Sequence, residues 1–361
     1  MSAPHLLAVL PLAGVLLAVP GAGASAAARQ RPQPLVDAAP TTAFFHDRVI
    51  HSRSSPRARA SVAGAHYTAY ATADGYSVPV AFSPAYQAST TVAETYVRFL
   101  DGLPHGSELA KLNVFIAPPA EVQSACGGED GTLACYDAST HEMVVPGEEE
   151  PQDTGVTTSY VIAHEYGHHV AAFRSNAPLS AFDFGPKYWS SYERVCLRTL
   201  EGKLAPGNEG VGYALNPGEN WAETYARLTY PDQPWTFASF LKPDAGALAA
   251  ARRDVLDPWT GSKTQTFRGR FAAGGASVRR FHFTLTLDGA LRVRLRGPRG
   301  TNYNLSLASL GHTQGRTRTA GSRDVISYDV ACRQRARERL TFTVRRVAGN
   351  GPFTVRVTSA G

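Results

Sequence analysis

Cysteine, methionine and lysine are all scarce in this 361-residue chain: four, two and five residues, the last against 31 arginines. The four cysteines include no C-x-x-C spacing, which argues against a thiolate cage around a structural metal. Long apolar runs are also few. "LLAVLPLAGVLLAV" (6–19) is the main one, and with Pro11 inside it and Pro20 just after it, it is shorter than a spanning helix needs. No membrane span is therefore expected in the mature protein. Disorder is excluded as well, because 43% of the residues are hydrophobic, enough for two modest domains with cores of their own.

The N-terminus reads as an export signal. The apolar run leads to Ala24-Ser25-Ala26, the small-x-small form of a signal peptidase site, although "MSAPH" brings no Lys or Arg. Residues 1–26 are thus expected to be a signal peptide and the protein to be secreted and extracellular. Residues 27–62 are polar, Pro- and Arg-rich and without sustained period, and read as a leader, propeptide or linker. Export places the cysteines in an oxidising compartment, where an even number forms disulfides. Cys126 and Cys135 flank a short turn-rich loop and are expected to pair, which leaves Cys196 for Cys332.

Charge is divided unevenly along the chain. Residues 262–361 hold 19 basic and 4 acidic side chains, a balance of +15, whereas residues 1–261 hold 17 basic and 26 acidic, a balance of −9. The basic end suits an anionic cell-wall polymer or acidic polysaccharide, and equally an ordinary solvated surface rich in Arg. No nucleic-acid partner is expected.

The pattern between about 63 and 258 mixes strands and helices. "DGYSVPVAF" (74–82), "KLNVFIAP" (111–118) and "HEMVVP" (141–146) read as strands and "TVAETYVRFLDGL" (91–103) as a helix, which is α+β logic. From 262 onward the period is two. "RRFHFTLTLDGALRVRLRG" (279–297) predicts a hairpin turning at Asp288-Gly289, and four further alternating runs (303–310, 324–330, 339–347, 352–359) predict an all-β antiparallel sandwich.

The chemistry is concentrated in "TGVTTSYVIAHEYGHHVAAFRSNAP" (154–178). Thr and Ser can cap its start, Asn176 and Pro178 can end it, and the spacing predicts a helix over 155–174. His164 and His168 then share one face, one turn apart, close enough for both imidazoles to bind one ion. Glu165, beside the first ligand, can reach a metal-bound water as general base. Ile162, Tyr166, Val170 and Phe173 form an apolar stripe toward the sheet. His169 points about 100° away and reads as a packed or exposed histidine.

A hydrolytic zinc needs a third protein ligand. The extended form H-E-x-x-H-x-x-G-x-x-H is absent, since Ala171 and Arg174 stand at its Gly and His positions. Downstream, "NPGENWAETYARL" (216–228) predicts a second helix with Asn216 as N-cap and Pro217 at its first position. Glu219 fits two roles there: closing a capping box with Asn216, or binding metal while Glu223, one turn on, orients a ligand histidine. Tyr213, just upstream, is close enough in sequence to stabilise an oxyanion, or is a core tyrosine.

"HEYGH" followed by "ENWAE" resembles the gluzincin metallopeptidases, in which a glutamate ligand on a second helix is followed four residues later by an acidic residue. The resemblance covers about residues 70–230. It implies a zincin-like catalytic domain, Zn²⁺ held by His164, His168 and Glu219, and a protein or peptide substrate cleaved with Glu165 as base. The last 100 residues, with "NYNLSL" (302–307), resemble the pre-peptidase C-terminal domain that follows many bacterial secreted peptidases, an accessory or adhesion module. A non-catalytic zinc-fold binding protein and a zinc hydrolase of a non-peptide bond are the alternatives.

Overall fold

The computed structural model describes residues 29–42, 45–50, 65–127, 131–149 and 155–361. The expected signal peptide (1–26) and residues 27, 28, 43, 44 and 51–62 of the expected leader lie outside the described residues.

The first domain is built on a mixed six-stranded sheet. Its elements in chain order are β1 (His46–Ile50), β2 (Thr68–Ala71), β3 (Ser77–Phe82), α1 (Thr90–Gly102), β4 (Asn113–Ala117), α2 (Pro119–Ala125), β5 (Thr132–Asp137) and β6 (Glu142–Pro146). The strand order is β1-β5-β6-β4-β3-β2, parallel at β1/β5, β6/β4 and β4/β3 and antiparallel elsewhere. Interior β4 is apolar almost throughout and buried, as a strand covered on both faces must be.

Further helices follow, of which the first packs on the sheet: α3 (Thr158–Ala172), α4 (Ala181–Phe184), α5 (Lys187–Tyr192), α6 (Val195–Leu200), α7 (Pro217–Ala226) and α8 (Ala245–Leu256). The Thr157 hydroxyl caps α3 by accepting from the Tyr160 amide. The helix is two to three residues shorter at each end than 155–174. Its one-sided apolar stripe is a correction too. Every residue from Thr158 to Ala171 is buried, because the sheet packs on one side of α3 and α7 on the other.

The N-terminal boundary of this domain moves as well. A start at 63 leaves out β1, which lies inside the expected leader yet pairs in parallel with β5. Upstream residues are also laid on the domain: the Gln33 amide donates to the Gly147 carbonyl, and Thr157 and Ser159 donate to the Ala38 carbonyl. The polar, Arg-rich flanks mask a short alternation, in which Phe45, Asp47 and Val49 face inward.

The second domain comprises β7 (Lys263–Phe271), β8 (Val278–Leu285), β9 (Gly289–Arg296), β10 (Asn302–Ser309), β11 (His312–Arg316), β12 (Val325–Ala331), β13 (Glu338–Ala348) and β14 (Gly351–Ser359). Two four-stranded antiparallel sheets, β11-β10-β13-β8 and β12-β9-β14-β7, enclose a core that includes Leu291, Val293, Leu305, Phe342 and Val355. The hairpin at Asp288-Gly289 does not form. β8 pairs with β13, whereas β9 pairs with β12 and β14, so this connection crosses from one sheet to the other. Gly289, at φ +138°, makes the crossing possible.

Both expected disulfides are present, Cys126–Cys135 and Cys196–Cys332, and the second links α6 to the sandwich. The junction is more extensive than that bond. Lys187 Nζ donates to the carbonyls of Asn176, Ala177 and Asp288 at 2.8–3.1 Å. Arg333 binds the Asp288 carboxylate and the Ser191 carbonyl, and Trp259 Nε1 donates to the Ala360 carbonyl at 2.8 Å.

Candidate metal centre

Helices α3 and α7 meet at a point set by glycine. A Cβ on Gly167 would lie 2.8 Å from the Ala222 Cα, so only glycine allows this approach, and the Trp221 indole donates to the Gly167 carbonyl at 2.8 Å. The functional groups flank it, His164 and His168 around Gly167 and Glu219 and Glu223 around Ala222. Asn216 caps α7 by accepting from the Gly218 amide, while its own amide donates to the Tyr213 carbonyl. Glu219 is therefore not engaged in a capping box. Its Oε2 lies 3.4 Å from His164 Nε2 and 3.3 Å from His168 Nε2.

His164 is held from behind. Its Nδ1 lies 3.4 Å from Glu223 Oε2, and the other oxygen of Glu223 accepts from the Tyr160 hydroxyl at 2.5 Å. With Nδ1–H directed at Glu223, Nε2 carries a lone pair into the site. That lone pair faces Glu219 and also Asp47, whose Oδ2 is 3.5 Å from His164 Nε2 and 3.2 Å from His168 Nε2. Asp47 arrives from β1 and was not among the residues read from the sequence. The F-x-D-x-V alternation of its strand was the available signal.

Glu165 is fully buried beside this cluster, and neither of its carboxylate oxygens has a hydrogen-bond partner. Tyr213 is buried, with its hydroxyl donated to the Asp47 carboxylate. His169 belongs to the core: its Nε2 meets the Glu108 carbonyl at 2.9 Å and its Nδ1 the Tyr136 hydroxyl at 3.0 Å. Glu209, also unforeseen, accepts from the Val49 amide and from the Asn216 side chain.

The electrostatics are those of a site that wants a cation. Burial opposes charge on His164 and His168, yet the Asp47 and Glu219 carboxylates outweigh it and hold both imidazoles above their ordinary pKa, His168 at about 10. Burial, then the Asp47 charge, pushes Glu165 well up. Carboxylates converging with imidazole lone pairs in an enclosed space need a shared positive charge. A metal fits that need. Asp47, His164, His168 and Glu219 each offer an atom within 4.8 Å of the others, and Asp47 Oδ2, His168 Nε2 and Glu219 Oε1 have no hydrogen-bond partner. This mixed imidazole and carboxylate set suits zinc and its neighbours.

No protein-family model matches the chain, and no curated protein does. Among solved structures, the pre-peptidase C-terminal domain of a collagenase from Bacillus anthracis aligns with the C-terminal sandwich. The identity is 13%, with 26% of this chain and 88% of that one covered, at a TM-score of 0.23. PliG, a periplasmic inhibitor of g-type lysozyme from Aeromonas hydrophila, aligns at 14% identity over 27% of this chain and 87% of its own, at a TM-score of 0.19.

Proposed function

We propose that the chain is a secreted zinc metallopeptidase of the gluzincin kind, with a zincin-like catalytic domain. One observation carries this reading. The buried carboxylate of Glu165, free of any hydrogen bond, stands next to His164, His168 and Glu219 where their donor atoms converge. A structural role offers no reason to bury an unpartnered carboxylate, whereas a proton acceptor at a hydrolytic site must be free of other bonds.

His164, His168 and Glu219 would hold the ion, which supplies Lewis acidity toward water and toward a peptide carbonyl. Glu223 keeps the His164 ring in the tautomer that presents Nε2. Glu165 takes the proton from water and returns it to the leaving amine. The two disulfides agree with an oxidising location, and no helix among the described residues is long and apolar enough to cross a membrane.

The test is a comparison at fixed metal content. Purified protein should carry about one zinc per chain, and casein hydrolysis, whatever basal rate the full chain shows, should be lost to a chelator. Glu165→Gln should keep the zinc and lose roughly 10²- to 10⁴-fold in rate. Hydrolysis near wild type in that variant would remove Glu165 from the mechanism.

A further inference from the structure

We propose that Asp47 is a fourth metal ligand and that β1 is a latch, so that the chain as folded is the latent form of the hydrolase; this rests on the metallopeptidase reading above. A catalytic zinc keeps one coordination position open for water, whereas four protein ligands close the shell. Here the four-donor set is closed by Asp47.

The spacing of the donors supports coordination rather than mere proximity. Bonds of about 2.0–2.1 Å from a tetrahedral centre place neighbouring ligand atoms roughly 3.3–3.4 Å apart. The distances from Asp47 Oδ2 and Glu219 Oε2 to the two histidine Nε2 atoms are 3.5, 3.2, 3.4 and 3.3 Å. Asp47 is only 7% exposed, and its Oδ2 has no hydrogen bond. A buried carboxylate oxygen aimed at two imidazole nitrogens requires shared positive charge, which a metal ion between them supplies.

A permanently closed site would leave two features without purpose. Glu165 would be a base with no water to act on. The Tyr213 hydroxyl, within reach of the same space, is occupied by Asp47. Access is narrow as well: the crevice beside the donors, lined by Val49, His168, Phe182, Glu209 and Glu219, leaves no room for a water-sized group.

The element that blocks lies at the edge of the sheet. β1 is an edge strand with a single neighbour, β5, so its departure breaks no other strand pair. Its inward side chains and that of the residue just before it all serve the block: Phe45 packs edge-on against the His164 ring at 5.1 Å, Asp47 closes the donor set and Val49 lines the crevice. With β1 displaced, one position at the metal opens, the Tyr213 hydroxyl is freed and Glu165 gains access to water.

The experiment compares the full chain with Asp47→Ala and, as the isosteric control for folding, Asp47→Asn. Each is loaded with zinc, or with cobalt for spectroscopy. We expect chelator extraction of zinc to quicken about tenfold or more in Asp47→Ala. The cobalt spectrum of that variant should respond to acetohydroxamate, whereas wild type should not. Casein hydrolysis should rise by an order of magnitude or more, and a further Glu165→Gln should abolish the gain. A wild-type cobalt site that already binds acetohydroxamate, with hydrolysis as fast as in the variants, overturns the latch and leaves the hydrolase intact. Opening of the site in both variants without hydrolysis removes the hydrolase, and latency with it. Unchanged extraction in both variants removes Asp47 from the metal.

Discussion

On the proposed reading Glu223 acts on the metal through a histidine, and that role separates it from Glu219 four residues earlier. Replacing the Glu223 carboxylate by an amide in Glu223→Gln weakens the restraint on the His164 tautomer, so zinc affinity should fall roughly 10- to 100-fold in competition with a chelator. Unchanged affinity would assign Glu223 to its contacts with Tyr160 and Arg227 alone. Glu219→Gln, by contrast, should lose most of the zinc outright. Retention there would make convergence with the histidines incidental. The juxtapositions were legible at residue level, since spacings of four on two helices put His164 with His168 and Glu219 with Glu223. Asp47 was legible at most as an inward-facing position, because a lone carboxylate in a five-residue strand carries no period pointing to a partner.

Among the elements, the close approach of α3 and α7 decides whether the ligands meet. In Gly167→Ala the added Cβ collides with the Ala222 backbone, which cannot yield as a flexible side-chain end would. Overpacking costs about 1–3 kcal/mol, against a helix-propensity gain of about 1 kcal/mol. A net loss of about 1 kcal/mol is expected in urea unfolding, together with weaker zinc binding as Glu219 moves off the histidines. Unaltered zinc affinity would show that α7 need not sit so close. A second element contact reports through pH. Asp254 on α8 accepts from the Tyr188 and Trp189 amides of α5 at 3.0 and 2.7 Å, and burial lifts its carboxyl from 3.8 to about 7. Between those values the folded chain binds more protons at this site than the unfolded chain does. Stability from this group is therefore full below about pH 4 and is lost as pH rises through 7, by up to roughly 4 kcal/mol. Unfolding free energies at pH 4.5 and 7.5 should differ less in Asp254→Asn than in wild type.

On the scale of the whole molecule, the sandwich is docked as well as tethered. Cys196→Ser with Cys332→Ser should cost about 2–5 kcal/mol, while Lys187, Ser191, Asp288 and Arg333 keep the two domains in one thermal transition. Two separated transitions would assign the docking to the disulfide. The outer face of the sheet β12-β9-β14-β7 presents Arg292, Arg294 and Arg296 of β9, with Arg356 of β14 directly opposite Arg294. Like charges opposite one another destabilise a sheet unless an anion lies over them. We propose an anionic cell-wall polymer or acidic polysaccharide as that partner. Binding should be measurable at low salt, fade as exposed charge is screened, and drop sharply when these four arginines become Gln. Binding unchanged in that variant, or insensitive to salt, would leave the face as solvated surface.

What the sequence determined by itself is local: the α3 and α7 helices with their caps, the faces of the sandwich strands, and both cysteine pairings. A period records which side of an element is buried, and a cap records where a helix starts. Neither records what lies opposite. The β8–β9 hairpin therefore failed although both strands were foreseen, since alternation is the same whether a strand pairs with its chain neighbour or crosses to the other sheet. Tertiary structure alone decided that Gly167 is the meeting point of two helices and that Lys187 is the strut between domains. It also decided that Asp47, from a segment that reads as leader, completes the donor set around His164 and His168. Those contacts join residues far apart in the chain, and they exist only because packing brings buried charge to the one place where it can be shared.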